Sequence, residues 1–373
     1  MQAGQTSEPE IVVYGASGYT GRLIAAELAD RGLPIVIAGR NGAKLEAVAA
    51  GLDASAPIRI AVVSLADTAG LRDLIAPAAV VVGCAGPFTL HGTPVIEAAA
   101  LTGTDYLDTT GEQPFIRDSF DRWGESASAS GAALVSGFGF DYVPGDMLAA
   151  LTAEGLGRID ELTLAYHVTD LGTTRGTTLS ALEMVKGGDV EWRDRRYVPA
   201  SRRAGRGRFG FPAPIGLQRV GRYPSGEQIT VPRHVEVDTV RTVIGLRGLI
   251  GAELGPAAGP LLTASGYAMA TPLRTLAAKA VERLPEGPSE SARARAAYTI
   301  VCEARTPAGT RTGVLRGTDV YGITARIIAE GAARMADPGY GRRGALAPAQ
   351  AFDPADFLAA LAPFGITTEI DPL

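Results

Sequence analysis

Six apolar, β-rich runs recur through the first 150 residues: 11-IVVYG, 34-PIVIAG, 58-IRIAVV, 79-AVVVGC, 104-TDYLDT and 132-AALVSG. Segments with helical spacing, 20–31, 42–51, 67–76, 92–102 and 114–130, lie between them. Strands that are apolar on both sides must be covered on both sides, so helices flank the sheet on two faces. Because crossovers between parallel strands are right-handed, this beat leaves little besides a doubly wound parallel sheet. Ligands of such sheets sit beyond the carboxyl ends of the strands. The search for function therefore starts at the turns that follow each run.

After about residue 155 the beat changes. The runs 159-IDELTLAYHV, 234-HVEVDTV, 295-RARAAYTIVCEART and 311-RTGVLRGTDV read as longer alternating strands, the last two flanking a hairpin turn at 307-PAGT. A chain of 373 residues is also long for one core. The expectation is α/β in the first part, residues 1–150, and a second α+β domain, residues 151–373, built on a mainly antiparallel sheet. The helical 320-VYGITARIIAEGAARMA is expected to cover that second sheet, and 353-DPADFLAALAPFGITTEI reads as helix then strand. The stretch 320–373 could instead pack back on the first domain.

The first turn is the barest. In 11-IVVYGASGYTGRLIAAELADRG-32, Gly15, Gly18 and Gly21 stand three residues apart between strand and helix. Gly15 would permit a tight turn, Gly18 the approach of a pyrophosphate, and Gly21 close helix packing. Ser17, Tyr19 and Thr20 lie at the helix start, where free N–H groups and the dipole favour anions. A glycine turn alone is weak grounds, but the second strand ends in 37-IAGRN, with Arg40 nineteen residues after Gly21. An acid there would accept the ribose hydroxyls of NAD; an arginine pairs with the 2′-phosphate of NADP. Asn41 and Lys44 could assist. The bland alternative, that Arg40 merely opens a solvated helix, does not explain the ordered series of strand, glycine loop, helix, strand and arginine. The expected cofactor is NADP(H), and the first domain is read as a Rossmann domain.

The later turns add candidates. Ser64 follows strand three, near where adenine would lie. The turn 83-GCAGPFTLHG-92 places Cys84, Ala85, Gly86, Pro87 and Phe88 near the cofactor; 105-DYLDTTGE-112 and 137-GFGFDYVPGDM-147 follow strands five and six. Tyr106, Asp108, Glu112, Asp141, Tyr142 and His91 are the candidates for proton chemistry, with Tyr106, Tyr142, Asp141 and His91 carried forward as catalytic. Each has a plain alternative: Asp141 as a helix cap, Tyr106 as core, His91 as a helix-start residue, Cys84 as a small buried strand residue. With only three histidines and the two cysteines Cys84 and Cys302 far apart, no metal site or disulfide framework is expected. A reducing cytoplasm is the natural compartment. The opening MQAGQTSEPE has no basic region followed by an apolar core, so no secretory signal is read there. The net charge of −5 argues against a nucleic-acid partner.

GASGYTG, AGRN, CAGPF…HG, DYLDTTGE and GFGFDYVPGD resemble, in that order, the motifs of the saccharopine dehydrogenase-like oxidoreductases. The nearest likeness is to the bacterial branch that contains the trans-acting enoyl reductases of polyketide lipid assembly; 175-RGTTLSALEMVKGG shares it more faintly. The resemblance implies a Rossmann domain with an α/β substrate domain and NADP as cofactor. It does not fix the activity, because the family includes enzymes of a dicarboxylate amino acid as well as reductases of acyl chains.

Nine arginines fall between Arg193 and Arg222, with Asp194 among them. They read as a docking face for something acidic, such as a carrier protein or a carboxylate, or as a solvated loop in an arginine-rich chain. The uncharged 254–273, with Pro256, Pro260 and Pro272, is read as a buried or pocket-covering segment, with a lipid-facing patch as the alternative. The apolar 243–269 could wall a channel for a greasy substrate. Three functions follow. The first is an NADPH-dependent reductase of an activated C=C, an enoyl thioester or polyketide-type intermediate, free or tethered to a carrier protein. The second is a C=N reductase on an amino-acid-derived substrate, and the third a non-catalytic NADP-binding scaffold or sensor. A homodimer is left open.

Overall fold

The computed structural model of the chain describes residues 10–52, 57–170, 172, 174–184, 188–201, 207–246 and 286–372. The first half runs β1 (Ile11–Tyr14), α1 (Tyr19–Asp30), β2 (Ile35–Gly39), α2 (Gly42–Ala50), β3 (Ile58–Val62), α3 (Thr68–Ile75) and β4 (Val80–Gly83). It continues with α4 (Phe88–His91), α5 (Thr93–Thr102), β5 (Asp105–Asp108), α6 (Gln113–Asp121), α7 (Gly124–Ser130), β6 (Ala133–Val135) and α8 (Val143–Ala153). Its strands lie in the order β3-β2-β1-β4-β5-β6, every pair parallel. The order reverses between β1 and β4, which opens a crevice at their carboxyl ends.

Every residue of β1, β2 and β4 is buried, as continuous apolar strands require. Strand β3 departs from that reading. It is the sheet edge, with Ile60 36% and Val62 59% exposed. The segment 114–130, expected as one helix, breaks at Arg122–Trp123 into α6 and α7.

The second half holds β7 (Ile159–Thr169), α9 (Arg175–Met184), β8 (Val190–Arg193), β9 (Arg196–Pro199), β10 (Gly207–Phe211), β11 (Gly216–Arg222), α10 (Glu227–Thr230) and β12 (Val237–Gly245). Then come α11 (Glu290–Arg295), β13 (Ala297–Thr306), β14 (Gly309–Thr318), α12 (Val320–Met335), β15 (Gly344–Ala345), α13 (Pro348–Ala351), α14 (Pro354–Leu361) and β16 (Thr367–Ile370). The second sheet is ordered β10-β11-β12-β7-β13-β14-β16. It is mainly antiparallel, as the alternating runs imply, with β12 and β7 the parallel pair. A two-residue turn closes the β13–β14 hairpin, with Thr306 opposite Gly309.

Helix α12 overturns one expectation. It does not cover the second sheet but lies against α1, β4 and β5 of the first. Its apolar stripe, including Ile323, Ile327 and Ile328, is fully buried there, and Arg31–Glu330 ties it to α1 at 2.8 Å. Periodicity tells which face of a helix is buried, not which sheet receives it. The chain leaves the first sheet after β6, so one face over β4 and β5 would stay bare without a returning helix. The C-terminal stretch serves both halves: β15 extends the first sheet beside β6, α14 lies on α8, and β16 closes the second sheet. One apolar cluster, from Ile11 and Val82 to Tyr166 and Ile300, runs through both halves. Among the described residues no helix is long and apolar enough to cross a membrane. The segment 254–273 and most of 243–269 lie outside the described residues.

Candidate active site

The turn between β1 and α1 is shaped by backbone contact. Gly15 has φ +89°, and a Cβ there would come within 2.9 Å of Cys84 C and Ala85 N in the turn after β4. A Cβ on Gly21 would collide with the carbonyl of Gly15. Gly18 differs, because it is exposed and faces no such barrier. It is the N-cap of α1, and no side chain caps that helix. Free amides of a twelve-residue helix therefore open onto the crevice, a setting that fits a pyrophosphate. Beside it Ser17 accepts a hydrogen bond on its carbonyl from Arg22 at 2.9 Å, and Thr20 is half-buried in the first turn. The Tyr19 hydroxyl donates to the Pro288 carbonyl at 2.6 Å, and its ring meets Tyr321 edge-on.

Arg40 and Lys44 are exposed at the end of β2 and the start of α2. The charge of Arg40 acts on the Tyr14 hydroxyl, opposing the rise that burial imposes on it. Asn41 acts locally, its side chain accepting from Lys44 N at 3.0 Å and so capping α2. Ser64 is exposed beyond β3 and accepts from Ala66 N at 3.3 Å. Cys84 is held through its amide to the Tyr14 carbonyl at 2.8 Å, and burial pushes its thiol well up, so it behaves as a neutral wall. Ala85 and Gly86 continue that wall toward the surface, whereas Pro87 and Phe88 turn inward and Phe88 packs on Phe115.

Two buried acids hold the turns in register. Glu112 accepts from Phe88 N at 2.8 Å, Thr89 N at 2.9 Å and Thr89 Oγ1 at 2.6 Å, and from Ser180 Oγ of α9 at 2.8 Å. It thereby joins the turns after β4 and β5 to the second half of the chain. Asp108 accepts from Thr110 N at 2.8 Å and Gly137 N at 2.9 Å, joining the turns after β5 and β6; burial lifts its carboxyl to about 6.

The turn after β6 carries the chemistry-bearing group. Asp141 Oδ1 accepts from the Tyr223 hydroxyl at 2.6 Å, and both residues are only partly buried. Burial raises the Asp141 carboxyl while that hydrogen bond pulls it down. Tyr142 donates from its hydroxyl to the Gly111 carbonyl at 2.8 Å. The Tyr223 ring lies between Tyr142 at 5.9 Å and Tyr166 at 5.1 Å, centroid to centroid. The Tyr166 hydroxyl bonds to the carboxyl of Glu227, which is wholly buried and pushed up to about 8 by that burial. Burial also raises the Tyr142, Tyr166 and Tyr223 hydroxyls well above an ordinary phenol. Behind them Asp146 takes a contact from His234 Nε2 at 2.9 Å and the Ala349 amide at 2.9 Å. Tyr223 also borders a cavity of about 280 Å³ shared with Trp192, Arg222 and Arg241.

Of the four catalytic candidates, the structure brings Asp141 and Tyr142 together and leaves two apart. Tyr106 is wholly inside the first sheet's core, on the same face of β5 as Asp108, packed under the β4 turn where a Cβ on Gly83 would meet its hydroxyl. His91 is exposed on the last residue of α4. The arginine-rich stretch is not one face: Arg193, Arg195 and Arg222 are paired with Glu191, Glu236 and Asp189, while Arg202, Arg203 and Arg206 lie outside the described residues. Arg208 and Arg219 stand opposite each other, exposed, on β10 and β11. Among the described residues no group of three or more His, Cys, Asp or Glu could hold a metal. Sequence reasoning missed Tyr166, Tyr223 and Glu227. The one available signal was a single acid in the otherwise uncharged 223-YPSGEQITV, directly after the arginines.

Comparison with known proteins bears on the first domain most directly. Residues 11–135 match the family model described as the saccharopine dehydrogenase NADP binding domain, which bears out the resemblance and gives NADP(H) as the cofactor of this domain. A trans-acting enoyl reductase of Mycobacterium leprae is 41% identical over 145 residues, 38% of this chain and 34% of that one. The trans-acting enoyl reductase of Mycobacterium tuberculosis is 39% identical over 145 residues, again 38% of this chain and 34% of that one. The chain thus spans about a third of the length of these curated relatives. Saccharopine dehydrogenase (L-Glu forming) of Saccharomyces cerevisiae has the same fold over 98% of this chain and 100% of its own, with a TM-score of 0.59 and 15% identity. The named relatives are reductases and a dehydrogenase, the oxidoreductase class expected from the sequence.

Proposed function

We propose that the chain is an NADPH-dependent reductase of an activated C=C bond, with an enoyl thioester, free or carrier-tethered, as its substrate. The observation that carries this reading is the Asp141–Tyr223 pair, a proton-bearing hydrogen bond of 2.6 Å at the carboxyl end of the cofactor's sheet. The names of the relatives, enoyl reductases over the same domain, support the choice of C=C. Gly15, Ser17, Gly18, Thr20 and Gly21 would hold the pyrophosphate on the N-terminus of α1, and Arg40 with Lys44 the 2′-phosphate. NADPH held there would supply the hydride that the substrate's β-carbon takes up.

The electron pair of the double bond then moves onto the α-carbon and thioester oxygen. Tyr223 Oη delivers a proton to the α-carbon, and solvent restores it, so the product carries one hydride and one proton. Asp141 orients the phenol through its hydrogen bond. Cys84, Ala85 and Gly86 line the crevice without offering a competing proton. The test is NADPH consumption by the purified chain against enoyl thioesters, cyclic imines and no substrate. Reduction of an enoyl thioester, identified as the saturated product, is expected. Turnover of imines alone assigns C=N chemistry instead, and binding of NADPH without consumption across the panel assigns a sensor or scaffold.

A further inference from the structure

The reductase reading leaves one buried group unused. Glu227 is wholly buried and accepts from the Tyr166 hydroxyl on one carboxyl oxygen, while its second oxygen, Oε2, is sealed from water with the Ser225 hydroxyl as its polar neighbour. Room for this pair exists because residue 145 in α8 is glycine; a Cβ there would collide with both the Tyr166 hydroxyl and Glu227 Oε1. The Tyr166 ring in turn rests edge-on against Tyr223, 5.1 Å between centroids, and Tyr223 bonds Asp141. A chain of side chains therefore runs from a sealed acid to the proposed proton donor.

We propose that Glu227, acting through Tyr166, is a positioning residue that stays neutral beside the Asp141–Tyr223 pair, so that the cluster carries a single negative charge and Tyr223 can release its proton to the substrate. The inference rests on the reductase reading for its catalytic meaning, but the charge coupling stands on the geometry. The groups facing Glu227 are Tyr166 from β7, the Ser225 hydroxyl ahead of α10, Asp146 from α8 with its partner His234, Tyr142 ahead of α8, and Cys302 from β13; Tyr223 is reached through Tyr166. No arginine or lysine bonds Glu227, Tyr166, Tyr223 or Asp141 among the described residues. Two acids in so enclosed a cluster do not both ionise readily, and the more open one goes first. Asp141 is partly exposed and takes the Tyr223 hydrogen bond, so it carries the charge, and Glu227 remains a neutral acid. Loss of the Glu227 proton would add a second charge beside the phenols and make Tyr223 a poorer donor. The alkaline direction of that change agrees with a carboxyl lifted to about 8.

The experiment combines pH profiles with carboxyl titrations of the full chain, using E227Q, E227L, Y166F and D141N. In the wild type, kcat/KM with NADPH and an enoyl thioester falls as Glu227 ionises. E227L lowers kcat/KM about tenfold at neutral pH, and E227Q returns most of it while losing the alkaline fall. Carbon-13 NMR of the labelled carboxyls, free of any substrate, shows the Glu227 titration moved to lower pH in D141N, which lacks the charge that holds Glu227 neutral, and to higher pH in Y166F, which lacks its hydrogen bond. An alkaline limb that persists in E227Q, or a Glu227 titration that stays put in D141N, overturns the proposal. Displaced Glu227 titration in a chain that reduces no enoyl thioester upholds the coupling and sinks the reductase reading alone.

Discussion

The glycine turn after β1 and the acid–tyrosine cluster that Asp141 joins after β6 both start from carboxyl ends of the first sheet but are built by opposite means. At the first, function depends on side chains being absent. Gly15 lies 2.9 Å, as a virtual Cβ, from the backbone of the β4 turn, and the exposed amides are left for a ligand. At the second, acids and phenols are gathered from both halves and partly sealed from water. The cradle is a local product of one strand–turn–helix unit. The cluster joins Asp141 to Tyr223 and Tyr166 to Glu227, across 82 and 61 residues of chain. A binding site of backbone amides survives on local geometry, whereas a proton-transfer site needs burial to set which group holds the proton.

That contrast can be broken most directly at the cluster. Y223F or D141N should lower kcat by about 10²- to 10⁴-fold while calorimetry finds the NADPH affinity little altered, since neither residue lies in the cradle. An equal loss in binding and turnover would erase the division between the two sites. At the cradle, G21V should do the reverse, weakening NADPH binding roughly 100-fold, because its branched side chain must displace the Gly15 carbonyl. R40D sharpens the cofactor assignment. Losing a charge-assisted pairing of about 1.5–3 kcal/mol should cost about 10- to 100-fold in preference for NADPH over NADH, read from the ratio of dissociation constants.

A smaller effect tests burial in the cluster without any substrate. Glu227 ionises near 4.5 when exposed and at about 8 when folded, so the folded chain holds one extra proton between those values. Stability should therefore fall as pH rises from 4.5 and level off above 8, by up to about 1.4 kcal/mol per pH unit. Urea melts of E227Q against wild type across that range should show a shallower slope in the variant. The smallest change is expected at the α1–α12 contact. Arg31 and Glu330 are about one-fifth exposed, and R31A should cost roughly 1 kcal/mol or less in the same melts.

Much of the cradle was legible before any coordinates. Three glycines at fixed spacing, an apolar strand before them and an arginine at the next strand end each act through local geometry. The cluster was legible only by half. Asp141 and Tyr142 sit at a strand end, where the doubly wound rule directs attention. Their partners do not, because Tyr223 follows an arginine-rich stretch and Glu227 looks like any acid at a short helix. Tyr106 passed the same strand-end rule and proved to be core, since position along a strand does not tell which way the side chain points. Helix α12 failed similarly: its stripe foretold burial, and the bare face over β4 and β5 decided where.

The amino-acid order by itself settled the parallel sheet, the open helix end and the cationic end of β2, because strand pairing, glycine turns and helix dipoles are properties of a few neighbouring residues. Only the folded chain decided which acid is sealed from water and which phenol it meets. Those properties follow from dielectric surroundings and from contacts between residues tens of positions apart, and these come into being only when the two sheets close on one core.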